Sequence, residues 1–509
     1  MKLDGYLNVD PGTMNPIEHG EVFVLDDKGE VDMDFGHYER FLGINCKSKW
    51  NLTMGKIFDF VRQKERRGDY LGKTVQFIPH VTNAIKEKIF EVAKEEDADI
   101  MMIEVGGTVG DLENELYIEA VRQLKNAVGE KNIAYIHMTY VPIPGNVKEQ
   151  KSKPTQQSVN LLRQRGIQPD IIIGRCSQLL DDSIKERISI FCDVPKEAVI
   201  TGLDVDNVYR IPLVFRDEGI LDILNRKLQL QAPAQMEQWE YLVHQMDHAE
   251  KEITLALCGK YTKLEDSYAS VIEAIRHASA HAGVKTKIKW IETTEIENGT
   301  ISPAEALHGI HAMIVPGGFG SRGIEGKINA IQYAREQGIP YLGLCYGMQL
   351  ATIEYARNAC AMPHANTTEV SPSTPFPIID LLPEQNGVQE KGATMRLGGN
   401  DIIVKTGTRA EKMFGAMTRL RFRHRYEVNP SFIADLEKNG IIFSGRAPDK
   451  EIMQIMELPK EKHPFFMGTQ AHPELTSRLE NPSPFFLELI REAVRRKELS
   501  KSGELLSRE

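Results

Sequence analysis

Along most of the chain, short apolar runs alternate with stretches in which apolar side chains recur every three or four positions. The first pattern predicts buried strands and the second amphipathic helices. Residues 1–13, polar and punctuated by Gly5, Pro11 and Gly12, read as loop. Strands are expected at 21–25, 74–79, 99–105, 134–141, 171–173 and 198–200. An Asp-rich turn runs through Asp34. Helices are expected at 48–65, with Met54, Ile57, Phe58 and Val61 on one side, at 82–95 with Thr82 as cap, and at 116–126. This alternation predicts a doubly wound α/β domain with ligands at the carboxyl ends of its strands. The pattern breaks over 229–252, where a small polar run precedes a charged stretch without a buried strand, as in a linker. It restarts with a strand at 253–261, a helix at 267–281, strands at 286–291 and 313–315, a helix at 328–336 and a strand ending at Cys345. Residues 362–386 are Pro-rich and irregular, and the last residues, from 496 to 509, are charged and expected to be disordered. Two doubly wound α/β domains follow, 1–228 and 253–495.

Composition narrows the class. A chain of 509 residues has room for two or more cores. With 41% apolar and 26% charged residues it is an ordinary globular sequence. A net charge of −10 argues against general binding to nucleic acid or membrane surfaces, although local basic loops can still hold phosphates. The six cysteines form no CxxC pair, which points to a reducing compartment. No run approaches 18 apolar residues and no secretory h-region opens the sequence, so a cytoplasmic protein is expected.

The chemistry concentrates around Gly343-Leu344-Cys345-Tyr346-Gly347. An apolar strand, a sharp turn at a reactive side chain and a following helix make a nucleophile elbow, and a helix N-terminus favours a thiolate. Most cysteines are inert, so a partner is needed. His472-Pro473-Glu474 provides a base and a carboxylate to hold it, which would share one face of an extended segment. Backbone N–H groups at Gly318 and Tyr346 can make the oxyanion hole, and the glycine pair Gly317-Gly318 allows close approach. Taken singly, Pro316-Gly317-Gly318-Phe319-Gly320 is a plain strand-to-helix turn and His472 a structural histidine. Their order along the chain points instead to acyl transfer through a thiolate.

Cys345-Tyr346-Gly347-Met348-Gln349 together with His472-Pro473-Glu474 resembles the class I glutamine amidotransferase domain. Lys391 to Gly398 by number, and Arg423-His424-Arg425-Tyr426-Glu427-Val428-Asn429, resemble the glutaminase half of the CTP synthase family. The first half is similar to the amidoligase half of that family at residues 8–14, 19–24, 34–40, 104–111 and 151–156. The resemblance implies a P-loop-like amidoligase domain followed by an amidotransferase domain. Activity would be amination of UTP to CTP with ATP, using ammonia from glutamine hydrolysed at Cys345. In the family, residues matching Gly318, Tyr346, Gly347, Met348, Gln349, Glu369 and Arg425 hold glutamine, Arg425 through its carboxylate. Those matching Asp111, Leu112, Glu113, Lys151, Ser152, Lys153, Pro154, Thr155, Gln156 and Arg187 hold UTP or the feedback inhibitor CTP. Arg187 stands where the family has Lys, which keeps the charge but changes reach and geometry. Asp34, implied for ATP, and Glu104 offer hard oxygens suited to Mg²⁺ on nucleotide phosphates. GTP is implied as allosteric activator, with His19 and Gly20 in the segment implicated, and the family forms homotetramers. Without the family, residues 421–425 read as a solvated basic strand, Lys151 and Lys153 as a solvated loop, and Asp34 and Glu104 as loop or strand-end carboxylates.

Family members open with a strand and a Gly-rich phosphate loop before the Lys-Leu-Asp found here at Lys2-Leu3-Asp4, and no GxxxxGK[ST] occurs in this sequence. The expectation is a chain starting at an internal Met that hydrolyses glutamine and makes little CTP. The rival readings are a glutaminase-only enzyme and a non-catalytic regulatory or assembly subunit.

Overall fold

The computed structural model describes residues 1–14, 20–259, 265–318, 320, 322–381 and 395–502. The chain divides into two compact units, one of Met1–Val9 with Lys49–Val243 and one of Asp10–Ser48 with His244–Glu509. Residues 10–48 therefore fold with the second unit although they lie early in the sequence. Both units are α/β, as the alternation of strands and helices predicts.

In the first unit Lys2–Asp4 is the middle strand of a parallel sheet between Asn51–Thr53 and Glu104–Val105. This corrects the loop reading of residues 1–13. Three residues ahead of Gly5 show no periodicity, and pairing on both sides makes them a strand. Leu3 is buried with Leu52, Ile57, Ile85 and Tyr117. Residues 74–79 form no strand; Phe77–Val81 is a helical turn, and Pro79 lacks the N–H a ladder requires. The strand expected at 99–105 is reduced to Glu104–Val105, with Ile100 and Met102 exposed. The register pairs Lys2 with Glu104, so among the described residues no strand lies beside 99–102. The helix expected at 48–65 starts only at Met54, with Thr53 as cap accepting from Lys56 N–H at 3.2 Å. Helix Thr82–Glu95 has the expected span, but Thr82 is its first residue, its hydroxyl donating back to Pro79 O at 3.2 Å. A second parallel sheet holds Ile136–Tyr140, Ile171–Cys176 and Val199–Leu203. Where the linker was expected, Glu237–His248 is a helix, and the Trp239 indole N–H donates to Tyr209 O at 2.8 Å.

The second unit is built on nine strands in the order Val284–Glu292, Lys251–Gly259, Ala312–Val315, Tyr341–Leu344, Phe466–Thr469, Met453–Glu457, Ile442–Arg446, Arg396–Val404, Met417–His424. The first five run parallel and the rest are joined antiparallel. One face buries Ile324, Ile328 and Ile331 against Met348 and Ile353; the other buries Val271 and Ile275 with Phe485 and Leu489. Ahead of this sheet in sequence, Phe23–Val24 and Glu30–Val31 form a hairpin and Asp34–Leu42 a helix. The last helix runs Pro484–Ser502, with Arg496 Nη1 donating to Gly338 O at 2.9 Å. Residues 496–502, expected to be disordered, are thus helical, because Arg496 ties them to the sheet-bearing unit. His19, Lys260, Tyr261, Phe319, residues 391–394 and residues 503–509 lie outside the described residues.

Candidate active site

Cys345 follows the strand Tyr341–Leu344, which lies between Ala312–Val315 and Phe466–Thr469, and precedes the helix Tyr346–Ala359. Its φ of 49° and ψ of −99° bend the chain sharply between the two elements. A non-glycine residue in such a conformation is held by its surroundings. Here Cys345 N–H donates to Thr469 O at 2.7 Å, and Gln349 N–H returns to Cys345 O at 3.2 Å. Two glycines allow helix and strand to close on each other. A Cβ on Gly347 would lie 2.1 Å from Val315 O, and one on Gly343 would lie 2.6 Å from the Gly347 carbonyl carbon. Cys345 is only 3% exposed.

His472 and Glu474 meet as expected, but through a turn rather than an extended segment. Pro473–Thr476 is a short 3-10 helix with His472 at its cap, since Pro473 favours a helix start. His472 Nδ1 lies 2.7 Å from Glu474 Oε1. Its buried Nε2 has no hydrogen-bond partner among the described residues, while Cys345 is close enough to act on the ring. Burial disfavours the imidazolium, but Glu474 and then Cys345 outweigh it and hold the His472 pKa well above its ordinary value. Gly317 faces both groups: a Cβ there would stand 2.8 Å from His472 Cε1 and 3.7 Å from Cys345 Cβ. A Cβ on Gly318 would meet nothing within 4 Å.

Around this pair stand the other expected side chains of the second unit. Gln349 is buried, its amide donating to Tyr426 O at 2.8 Å and Gln470 Oε1 at 3.1 Å. Glu369 Oε1 accepts from Gly320 N–H at 3.2 Å, and the Tyr346 hydroxyl donates to Gly320 O at 3.1 Å. Burial and then Glu369 raise the Tyr346 hydroxyl. Burial, Glu369 and Asp380 raise that of Tyr426, with Arg425 opposing, so both expected glutamine-binding charges reach this ring. The sequence reading missed Gln470, whose Nε2 lies 3.4 Å from Cys345 Sγ. It also missed that Arg421, read as part of a solvated strand, is buried. The signal for Gln470 was its place two residues before His472 at a strand end; Arg421 had none.

In the first unit, Lys153 and Pro154 start the helix Lys153–Gln164 with Ser152 as cap. Thr155 is buried, its hydroxyl 3.1 Å from Thr139 Oγ1, and Gln156 Nε2 donates to Ser152 Oγ at 3.0 Å. Lys151 pairs with Glu149 at 2.7 Å. Lys151 and, more weakly, Arg187 hold the Glu149 carboxyl below its ordinary value. Asp111 Oδ2 accepts from Thr108 N–H at 3.1 Å, and Leu112 and Glu113 are exposed in the short 3-10 helix Leu112–Asn114. This loop does not sit beside Lys153. A Cβ on Gly110 would face Arg165 and Leu161, near the far end of the helix, about 12 Å along its axis from Lys153.

Asp34 starts the helix Asp34–Leu42 in the second unit, and Glu104, exposed, starts the strand Glu104–Val105 in the first. No group of three or more His, Cys, Asp or Glu able to hold a metal occurs among the described residues. Single carboxylates nevertheless fit Mg²⁺ that arrives on a nucleotide, since such a metal takes most of its ligands from phosphates and water. Among the described residues no helix is long and apolar enough to cross a membrane.

Comparison with known proteins places this geometry. Residues 1–230 match the family described as CTP synthase N-terminus, and residues 263–492 match Glutamine amidotransferase class-I. CTP synthase of Borreliella burgdorferi is 50% identical over 502 residues, covering 97% of this chain and 93% of that protein. CTP synthase of Archaeoglobus fulgidus is 48% identical over 496 residues, covering 97% and 92%. A solved Trypanosoma brucei CTPS glutaminase domain with bound acivicin is 32% identical, covers 48% of this chain and 94% of its own, and superposes with a TM-score of 0.44. The chain belongs to the CTP synthase family, the ligases that aminate UTP to CTP with ammonia drawn from glutamine.

Proposed function

We propose that Cys345, His472 and Glu474 are the glutaminase centre that supplies this ligase with ammonia. The observation that carries the reading is the 2.7 Å His472–Glu474 pair, set beside a cysteine held at the start of a buried helix. Cys345 Sγ attacks the side-chain carbonyl carbon of glutamine while His472 Nε2 takes the thiol proton. The carbonyl electrons move onto oxygen, which the N–H groups of Gly318 and Tyr346 receive. His472 then returns the proton to the amide nitrogen, the C–N bond breaks, ammonia leaves and a γ-glutamyl thioester remains. Water, deprotonated by the same imidazole, attacks the thioester carbon, and glutamate and the thiol are released. Gly318, Tyr346, Gly347, Met348, Gln349, Glu369 and Arg425 form the glutamine pocket. The Arg425 fork suits the α-carboxylate and Glu369 the α-ammonium.

Residues 111–113 and 151–156 with Arg187 hold the pyrimidine nucleotide, UTP as substrate and CTP as inhibitor. Asp34 and Glu104, each a carboxylate of its own unit, would each offer an oxygen ligand to Mg²⁺ carried by ATP; when bound, the metal would neutralise phosphate charge. ATP phosphorylates O4 of UTP, and ammonia displaces that phosphate at C4. GTP stimulates the glutaminase, and the chain works as a cytoplasmic homotetramer. The spacing between residues 111–113 and Lys153 on one chain favours assembly, because a second copy can bring the two segments to one nucleotide. Replacing Cys345 by Ala tests the division of labour. Glutamate release and glutamine-dependent CTP formation should fall to background while ammonia-dependent CTP formation persists. Glutaminase activity surviving in Cys345→Ala refutes the nucleophile.

A further inference from the structure

Resting on the glutaminase reading above, we propose that Glu39 is a positioning residue for the Cys345–His472 pair, acting through Arg421. Among the described residues the strand Met417–His424 is the last of its sheet and pairs with Arg396–Val404 alone. Its other edge faces the site: Arg421 O accepts from His472 N–H at 2.8 Å, and Arg423 O lies 3.8 Å from Cys345 Sγ. Residues two apart on a strand send their side chains to one face. Those of Arg421 and Arg423 run into the segment 20–48.

Arg421 is 1% exposed, and so is Glu39. Their pairing is two-pronged, Nη1 to Oε2 at 2.9 Å and Nη2 to Oε1 at 3.0 Å, and Nη1 also donates to Val24 O at 3.1 Å. Arg478 closes the other side of Glu39, with Nη2 at 3.3 Å from Oε2 and Nε donating to Glu39 O at 3.0 Å. Cys46 N–H donates to Glu39 Oε1 at 2.8 Å. Arg423 repeats the arrangement more loosely, its Nε donating to Glu30 Oε1 at 2.8 Å. One residue thus carries both ends of the device. The side chain of Arg421 is fixed by Glu39, and its carbonyl fixes the backbone of His472. A guanidinium buried this fully has no stable place once its carboxylate is neutral, so the strand edge shifts and the base shifts with it. Gln349 and Glu369, proposed above for glutamine, are held by Tyr426 O, Gln470 Oε1 and Gly320 N–H rather than by Arg421 or Arg423.

The test is Glu39→Gln in the full chain, with the wild type alongside and glutamate release as readout. The expected result is a kcat about 100-fold lower, the cost of displacing a catalytic group by about 1 Å, with KM for glutamine within about twofold. Neutralising both partners, in Glu39→Gln with Arg421→Gln, should recover about tenfold of that loss, since the fully buried Arg421 guanidinium goes with its carboxylate while Arg478 keeps Ile44 O and Asn45 Oδ1. A wild-type kcat in Glu39→Gln, or a KM that rises as kcat falls, overturns the proposal. If circular dichroism shows Glu39→Gln unfolded, Glu30→Gln carries the same test. There the expected loss of kcat is about tenfold at constant KM, and an unchanged kcat overturns the proposal. Absence of glutaminase activity from the folded wild type would instead overturn the underlying glutaminase reading, so the two failures are distinguishable.

Discussion

Gly317→Ala separates packing from chemistry at this site. The glycine has no left-handed φ, so alanine fits its backbone, and its added methyl is crowded on the side of the imidazole, with Cys345 Cβ at an ordinary 3.7 Å. On that side the Cβ would stand 2.8 Å from His472 Cε1, whereas comfortable carbon–carbon contact is about 3.5–4.0 Å. The imidazole must therefore retreat by about 0.7–1 Å. It can do so at small structural expense, because a ring tethered at Nδ1 by Glu474 swings about that 2.7 Å contact. Proton transfer does not tolerate the same movement. A displacement of about 1 Å costs about 100-fold, or about 2.7 kcal/mol of transition-state stabilisation. Folding stability should change by less than about 1 kcal/mol, as alanine restricts the unfolded chain and offsets the new contact. Glutamate release at saturating glutamine, with thermal unfolding of the same preparation, measures both quantities. A kcat within twofold of wild type (about 0.4 kcal/mol) would falsify the placement of His472 as the base. A collapse of thermal stability would show that the methyl displaces backbone rather than the ring.

Three further outcomes follow from the same geometry. Gly347→Ala drives a Cβ to 2.1 Å from Val315 O, a backbone atom that cannot swing away, and should cost about 3 kcal/mol, seen as a fall of about 6–12 °C in Tm. Glu474→Gln removes the largest group that raises the His472 pKa, and a base must be neutral to take the thiol proton, so the acid limb of the glutaminase pH profile should move to lower pH. The matching stabilisation is full below the ordinary histidine value of about 6.5 and is lost as pH rises through the raised folded value; the variant should lose that pH dependence in urea titrations. Burial pushes the Glu427 carboxyl up to about 8, with Arg396 only partly opposing it. The folded state then holds a proton the unfolded chain releases, so stability falls as pH rises between the ordinary glutamate value and about 8. Glu427→Gln should be neutral near pH 5 and stabilising by a few kcal/mol, at most about 5, above pH 8; equal unfolding midpoints for variant and wild type at both pH values count against the burial argument.

What could be read from the sequence divides according to the range of the interactions involved. The elbow is legible because strand, turn and helix are consecutive, and because Gly343 and Gly347 are demanded by contacts within a few residues of Cys345 or with the adjacent strand. His472 and Glu474 are legible as a pair since they lie two positions apart, although the proline between them sets a turn that alternation alone does not reveal. Lys2–Asp4 is a strand only because partners from residues 51–53 and 104–105 pair with it. Residues 74–79 carry a strand's composition without a partner strand among the described residues. Arg421 is the extreme case. Its charge reads as solvent exposure, and what inverts that reading is a carboxylate 382 residues earlier in the chain. A buried ion pair between such distant positions leaves no periodicity in either segment, because each residue's placement depends on a neutralising partner the local pattern does not contain. The side chains proposed for catalysis are therefore written locally, while the groups proposed to hold their backbone in register are written in a segment that the sequence order assigns to the other half of the enzyme.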